Sequence, residues 1–261
     1  DLRNVMLVYG LAIASSLVVS ILLIWPTLQR LARETPRDGS SEGEIPGTAE
    51  LLRSGWHFSL ISLGVVLGQH MDVLLTGVFA GPDQVALVRV ASRVAEMAGL
   101  VRAIATLQYK PAVAFAAGQG DSEKLRHLAR VLAIIFAGSG FVVALGLLIF
   151  APAAMAVFGD AFEVGAPVLR IYLIGVACTL FAGAGDLLLS MSGHERVVSR
   201  LLMVSVAIQI SLDLLLIPRF GALGCAVANA VALSVFALSV AVACVRLLAI
   251  NPSVFSLLRR R

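Results

Sequence analysis

Long apolar stretches of about 20 residues with few charges recur along this chain and limit its fold more than any other feature. They occupy residues 5–24, 58–80, 85–106, 131–151, 169–189, 201–217 and 222–243. A run of about 20 apolar residues matches the roughly 30 Å hydrocarbon layer of a bilayer when helical. Backbone groups in lipid must be satisfied internally, which leaves helices or closed barrels, and these runs are twice the length of a barrel strand of about 10 residues. The expected fold is therefore all-α: a polytopic transmembrane helix bundle of about seven spans. Composition agrees, with 59% apolar and 14% charged residues, where a soluble domain carries about 25% charged residues. The mean hydropathy is +0.95.

The net charge of +4 does not point to nucleic acid, because the basic residues lie between the apolar runs and form no continuous stripe. Cys178, Cys225 and Cys244 are far apart and each sits within an apolar run. They read as small buried thiols, with neither a disulfide framework nor a metal-ligand spacing. No Ser/His/Asp, metal-ligand or phosphate-loop constellation stands out, so no catalytic residue, metal or cofactor is expected. The chain opens on Asp1 and enters an apolar run too long for a cleaved signal peptide, which suggests part of a longer protein.

The loops orient the bundle. Arg30, Arg33, Arg37, Arg53, Lys110, Lys124, Arg126, Arg130, Arg196, Arg200, Arg246 and Arg259, Arg260 and Arg261 fall on one side, against Arg3, Arg170 and Arg219 on the other. The positive-inside rule places the richer side, and the carboxyl end, in the cytoplasm, with the amino end of this piece outside. Trp25, Trp56 and Tyr109 stand where helices should leave the inner face, as an aromatic belt would. The organisation expected is a first helix over 1–27, a cytoplasmic linker over 28–54, a helical lobe over 55–250 and a basic tail over 251–261. Gly, Ser, Pro, Glu and Arg make the linker a flexible one, ending in a short surface helix from Thr48 through Leu51, Leu52 and Trp56.

An ionisable side chain within a span costs several kcal/mol unless paired or wet, so each one is a candidate functional group. The third run holds Arg89, Arg93, Glu96 and Arg102, the first three on one helical face; the second holds His70 and Asp72. Counting about 1.5 Å per residue from the short turn between them puts Asp72 and Arg93 at one depth and predicts an ion pair near the midplane. Such a pair would at least join two helices. If instead these groups line a wet cavity, Arg89 and Arg93 would attract an anionic group such as a pyrophosphate. Asp72, Glu96 or His70 would then be candidates for exchanging a proton or sodium ion, although a packed histidine is the simpler reading of His70. Asp213 is expected in an interfacial network with Arg219 and Arg170, and Asp186 at a solvated helix end. Gln69, Gln209 and Asn229 read as interhelical hydrogen-bond formers.

Several motifs carry a family likeness. Asp72, Leu74, Leu75, Gly77 and the Gly81 turn, then Ala91, Ser92 and Arg93, resemble the seventh and eighth spans of polysaccharide-biosynthesis flippases. Phe158, Gly159, Asp160, Ala161 and Phe162, and Ser192 and Gly193 before Arg196, resemble their next turns. Ile217, Pro218, Arg219, Phe220, Gly221, Ala222, Leu223, Gly224, Cys225 and Ala226 are similar to the turn before their last span. There Pro218 is expected to end a helix, Gly221 to permit the reversal, and Gly224 with Ala228 to form a small-residue packing face.

The resemblance, to a family within the multidrug, oligosaccharidyl-lipid and polysaccharide exporter superfamily, covers nearly the whole chain. It implies two six-helix lobes around a central cavity, this chain holding the last span of the first lobe, the linker and the whole second lobe. It further implies a flippase for undecaprenyl-pyrophosphate-linked oligosaccharide in a bacterial inner membrane, working by alternating access, with Arg89, Arg93, Glu96 and Asp72 in the cavity. The implied partners are the lipid-linked anionic saccharide, the bilayer, the missing amino-terminal lobe and the polysaccharide assembly machinery. The competing expectations are a multidrug or cation antiporter of the same fold, a membrane-embedded polymerase or glycosyltransferase, and a purely structural membrane subunit.

Overall fold

A computed structural model describes the backbone of residues 48–253, and the side chains there except those of residues 48–58, 60, 139 and 141. The expected first span, most of the linker and the end of the basic tail lie outside the described residues. One compact unit begins at Thr48. Its helices are α1 (Thr48–Phe79), α2 (Pro82–Gly118), α3 (Ser122–Ile135), α4 (Phe141–Ile149), α5 (Ala151–Ala156), α6 (Ala166–Ala182), α7 (Gly185–Met191), α8 (Glu195–Phe220) and α9 (Ala222–Leu248). A π-helical turn, Phe136–Gly140, joins α3 to α4, and a 3₁₀ turn, Asp160–Gly165, precedes α6. No strand occurs among the described residues.

Five segments are long and apolar enough to cross a membrane: Ile61–Phe79, Ser122–Ile149, Asp160–Ala182, Glu195–Phe220 and Ala222–Leu248. The chain is thus that of a multi-pass helical membrane protein. Large apolar side chains stay exposed on its outside, among them Val78, Leu107, Val142 and Leu238. Its interior is rich in alanine, including Ala91, Ala98, Ala226 and Ala228. Helices in lipid associate through close packing of small residues rather than by hiding apolar surface from water, which gives this inverted pattern.

The structure corrects two expectations about the elements and leaves a third, the crossing at 85–106, outside the five apolar spans. The turns from Thr48 belong to α1 itself, a single 32-residue helix, and form no separate surface helix. The expected span 85–106 lies in α2, whose 37 residues are ample in length but whose Asp83, Arg89, Arg93 and Glu96 make it too polar to count among the apolar crossings. The expected span 169–189 is not one helix: α6 stops at Ala182, and α7 starts at Gly185. Gly183 makes this break at φ 82, and a Cβ there would come within 1.8 Å of the Pro252 carbonyl oxygen, so the site admits only glycine.

The turn predicted at Gly221 forms, at φ 56, although α8 continues past Pro218 to Phe220. Gln84, at the start of α2, accepts a hydrogen bond from the Ala222 backbone N–H at 3.0 Å and so ties the amino-terminal ends of α2 and α9 together.

Packing then sets the shape of the unit. α9 lies against α6 and α8; α1 packs chiefly on α8, and α2 chiefly on α6. The two helices joined by the Gly81 turn therefore lean on different partners and leave a space between them.

Candidate functional site

That space is a cavity of about 640 Å³. One wall is α1, with Ser62, Gln69 and Asp72; the other is α2, with Arg89, Ser92, Arg93 and Glu96. Tyr172 of α6, Gln209 of α8 and Asn229 of α9 line its floor, and Arg102, Lys110 and Asp186 stand toward the α7 end.

The floor is organised around Asp72, which is 4% exposed. Gln209 Nε2 donates to its Oδ1 at 2.5 Å, while Tyr172 Oη and Asn229 Nδ2 donate to Oδ2 at 3.2 and 3.1 Å. The same Gln209 nitrogen reaches the Gly68 carbonyl at 3.0 Å, so α8 grips the backbone of α1 one turn before the carboxylate. Cys225 packs its thiol 3.4 Å from the Tyr172 hydroxyl. Asp213, 0% exposed, completes the group, and neither of its carboxylate oxygens receives a hydrogen bond. Ligating atoms of Asp72, Asp213 and Cys225 all lie within 4.8 Å of one another.

This arrangement is chemically incomplete. Two carboxylates so close and so deeply buried repel each other unless a proton or a metal ion sits between them. No basic side chain does that service: among the described residues the only ion pairs are Arg93 with Glu96 at 2.7 Å and Arg102 with Asp186 at 2.9 Å.

The predicted Asp72–Arg93 pair is therefore not formed. Both residues line the cavity, but Asp72 lies on the α1 face, shared with Gly68 and Thr76, that meets α8 and α9. Three neutral donors occupy it there, and Arg93 finds Glu96 one turn along its own helix. Equal depth brought the two side chains to one cavity without settling their direction. Arg89 lines the cavity half-buried, and Arg93 and Glu96 line it exposed. His70 is exposed and not among the lining residues, since two positions from Asp72 turns it about 200° around α1.

Gln209 and Asn229 do form the interhelical hydrogen bonds expected of them. Gln69 is exposed to the cavity. Asp213 departs from its expected interfacial network and joins the floor. Asp186 is not simply solvated: the Arg102 Nη2 nitrogen reaches both of its oxygens at 2.9 Å.

Tyr172 was not singled out from sequence, Cys225 was read only as a small buried thiol, and Asp213 was placed elsewhere. A signal was present in the four-residue spacings of Gly68, Asp72 and Thr76, of Gln209 and Asp213, and of Cys225 and Asn229, each of which puts polar groups on one helical face. The cysteines are free; Cys225 and Cys244 are buried as expected, but Cys225 borders a polar cluster rather than an apolar core. No protein-family model, curated protein or solved structure matches this chain.

Proposed function

We infer that the chain is the carboxyl-terminal half, one whole lobe with the last span of the other, of a membrane translocase that flips an undecaprenyl-pyrophosphate-linked oligosaccharide across a bacterial inner membrane during cell-surface polysaccharide biosynthesis. In this reading α2 is a further crossing whose charged face looks into the cavity instead of lipid, which brings the described lobe to six spans. The span expected at 5–24 lies outside the described residues, and the charge of the loops puts the carboxyl end in the cytoplasm. The protein does no bond chemistry; it alternates access as its two lobes rock against each other.

The observation that carries the proposal is the cavity between α1 and α2, with arginines on its wall and a buried carboxylate pair in its floor. Arg89 and Arg93 suit a pyrophosphate, because guanidinium groups bind phosphate oxygens in bidentate fashion. Arg93 is held only by an exposed pair with Glu96, so an incoming anion displaces Glu96 at little cost. Asp72 and Asp213 are then the place where a coupling proton or sodium ion enters and leaves. Glu96 is a weaker candidate for that role because it is exposed and already paired, and His70 because it lies off the cavity.

The test is surface-polysaccharide export in cells whose own copy is replaced by variants. The double change Arg89→Ala and Arg93→Ala should lower export at least about tenfold, the value of one lost charge-assisted hydrogen bond. Lipid-linked saccharide should build up in the membrane. Export at the parent level would refute the substrate role of this wall.

A multidrug or cation antiporter of the same fold is the second reading, and the acidic floor favours it if the cation bound there is the cargo. It predicts that the arginine variants leave transport intact while Asp72→Asn abolishes it.

A further inference from the structure

We propose that the Asp72, Asp213 and Cys225 cluster binds a thiophilic divalent cation of the zinc or cadmium class, and that this ion locks α1 to α8 and α9. The inference rests on reading the cluster as a cation site and names a regulator of that site.

Charge comes first. The two carboxylates, 4% and 0% exposed, carry two negative charges that one divalent ion matches, and with the thiolate that Cys225 then becomes the site keeps a single net negative charge, no more than a carboxylate pair sharing one proton. No lysine, arginine or histidine shares that task among the described residues. Donor type decides which divalent ion. Magnesium and calcium favour all-oxygen shells, while a sulfur ligand beside carboxylates selects zinc or a softer ion. The three ligating atoms already lie within 4.8 Å of each other, so bond lengths of about 2.0 to 2.3 Å require only small shifts.

The surroundings resemble those of a ligand set. Asp72 is oriented by Gln209, Tyr172 and Asn229, and its Oδ1, which accepts from Gln209 alone, keeps a lone pair for a metal. Asp213 supplies an independent sign of a missing ligand: its carboxylate is fully buried, lies against the other two groups and accepts no hydrogen bond. The ligands come from α1, α8 and α9, and on binding Cys225 gives up its thiol proton to solvent. An ion that ties three helices with a sulfur bond holds them more firmly than an exchangeable proton or sodium ion, and transport stops while it remains.

The experiment titrates cadmium into the full chain purified in detergent and reads the sulfur-to-cadmium charge-transfer absorption. One cadmium per chain is expected. The band should disappear in both Cys225→Ser and Cys225→Ala, persist in Cys178→Ala and Cys244→Ala, and require at least about tenfold more cadmium in Asp213→Asn. The unaltered chain gives a second measurement: cadmium or zinc should raise its melting temperature, and magnesium at the same concentration should not. A band that survives in both Cys225 variants, its absence from the parent, or equal stabilisation by magnesium overturns the proposal.

Binding and transport are separate readouts here. If the band behaves as expected while Asp72→Asn and Asp213→Asn transport at the parent rate, this site stands and the coupling role under the proposed function fails. If those variants lose transport and the parent shows no band, coupling stands and this site falls.

Discussion

On the α2 wall of the cavity, Arg93 and Glu96 lie 2.7 Å apart with 60% and 47% of their side chains exposed. On the floor, Asp72 and Asp213 are 4% and 0% exposed, and neither has a basic partner among the described residues. Between these extremes, toward α7, Arg102 and Asp186 pair at 26% and 33% exposure. Similar side chains thus do different work according to burial. An exposed pair is screened, contributes little to stability and rearranges freely around a bulky ligand. A buried carboxylate held by neutral donors, as Asp72 is, has no basic partner to exchange, and its protonation or metal occupancy changes only by admitting an ion.

That comparison can be broken at the floor first. Asp72→Ala strands the donors of Gln209, Tyr172 and Asn229 together and should cost about 3 kcal/mol of stability, read from unfolding in detergent. A cost near zero would mean that these donors find other partners. Asp213→Asn should act in the opposite sense, stabilising the fold by about 1 kcal/mol, because it removes a buried charge that receives no hydrogen bond and adds an amide able to donate to Asp72. A loss of stability instead would show that Asp213 has a partner that its geometry does not reveal.

Toward α7, Arg102→Ala should cost about 1 kcal/mol, since the pair is only partly screened and Arg102 also lies 6.0 Å from the Phe136 ring. Exchanging the charges, with Arg102→Asp and Asp186→Arg together, should recover part of that loss. The smallest effect belongs to the wall: Arg93→Ala should alter stability by less than about 0.5 kcal/mol while lowering export. A large stability loss there would erase the distinction between wall and floor.

The way these groups lie in the sequence explains which could be anticipated. Apolar runs report directly on helices in lipid, so most elements were legible, as were the turns at Gly81 and Gly221. Gly183 was harder to read, because one glycine within an apolar run looks the same whether it packs or breaks a helix; what decides is the Pro252 carbonyl, far along the chain. The site divides in the same manner. Asp72, Arg89, Arg93 and Glu96 could be placed on the cavity because they lie on neighbouring helices joined by a short turn. Tyr172, Asp213 and Cys225 meet Asp72 only after α6, α8 and α9 have packed, and no local periodicity says which helices will touch. Asp213 shows this most clearly: its place near a helix end suggested the interface, whereas packing buried it completely.

The most direct test of this account is transport by Asp213→Asn, a variant expected to fold at least as well as the parent. Reconstituted in liposomes with the lipid-linked saccharide and an imposed proton or sodium gradient, the parent should flip substrate faster with the gradient than without it. Asp213→Asn should show no response to either gradient, with cavity and arginines intact. If the variant still responds to the gradient as the parent does, the buried carboxylate pair is not where ion and substrate movement are coupled.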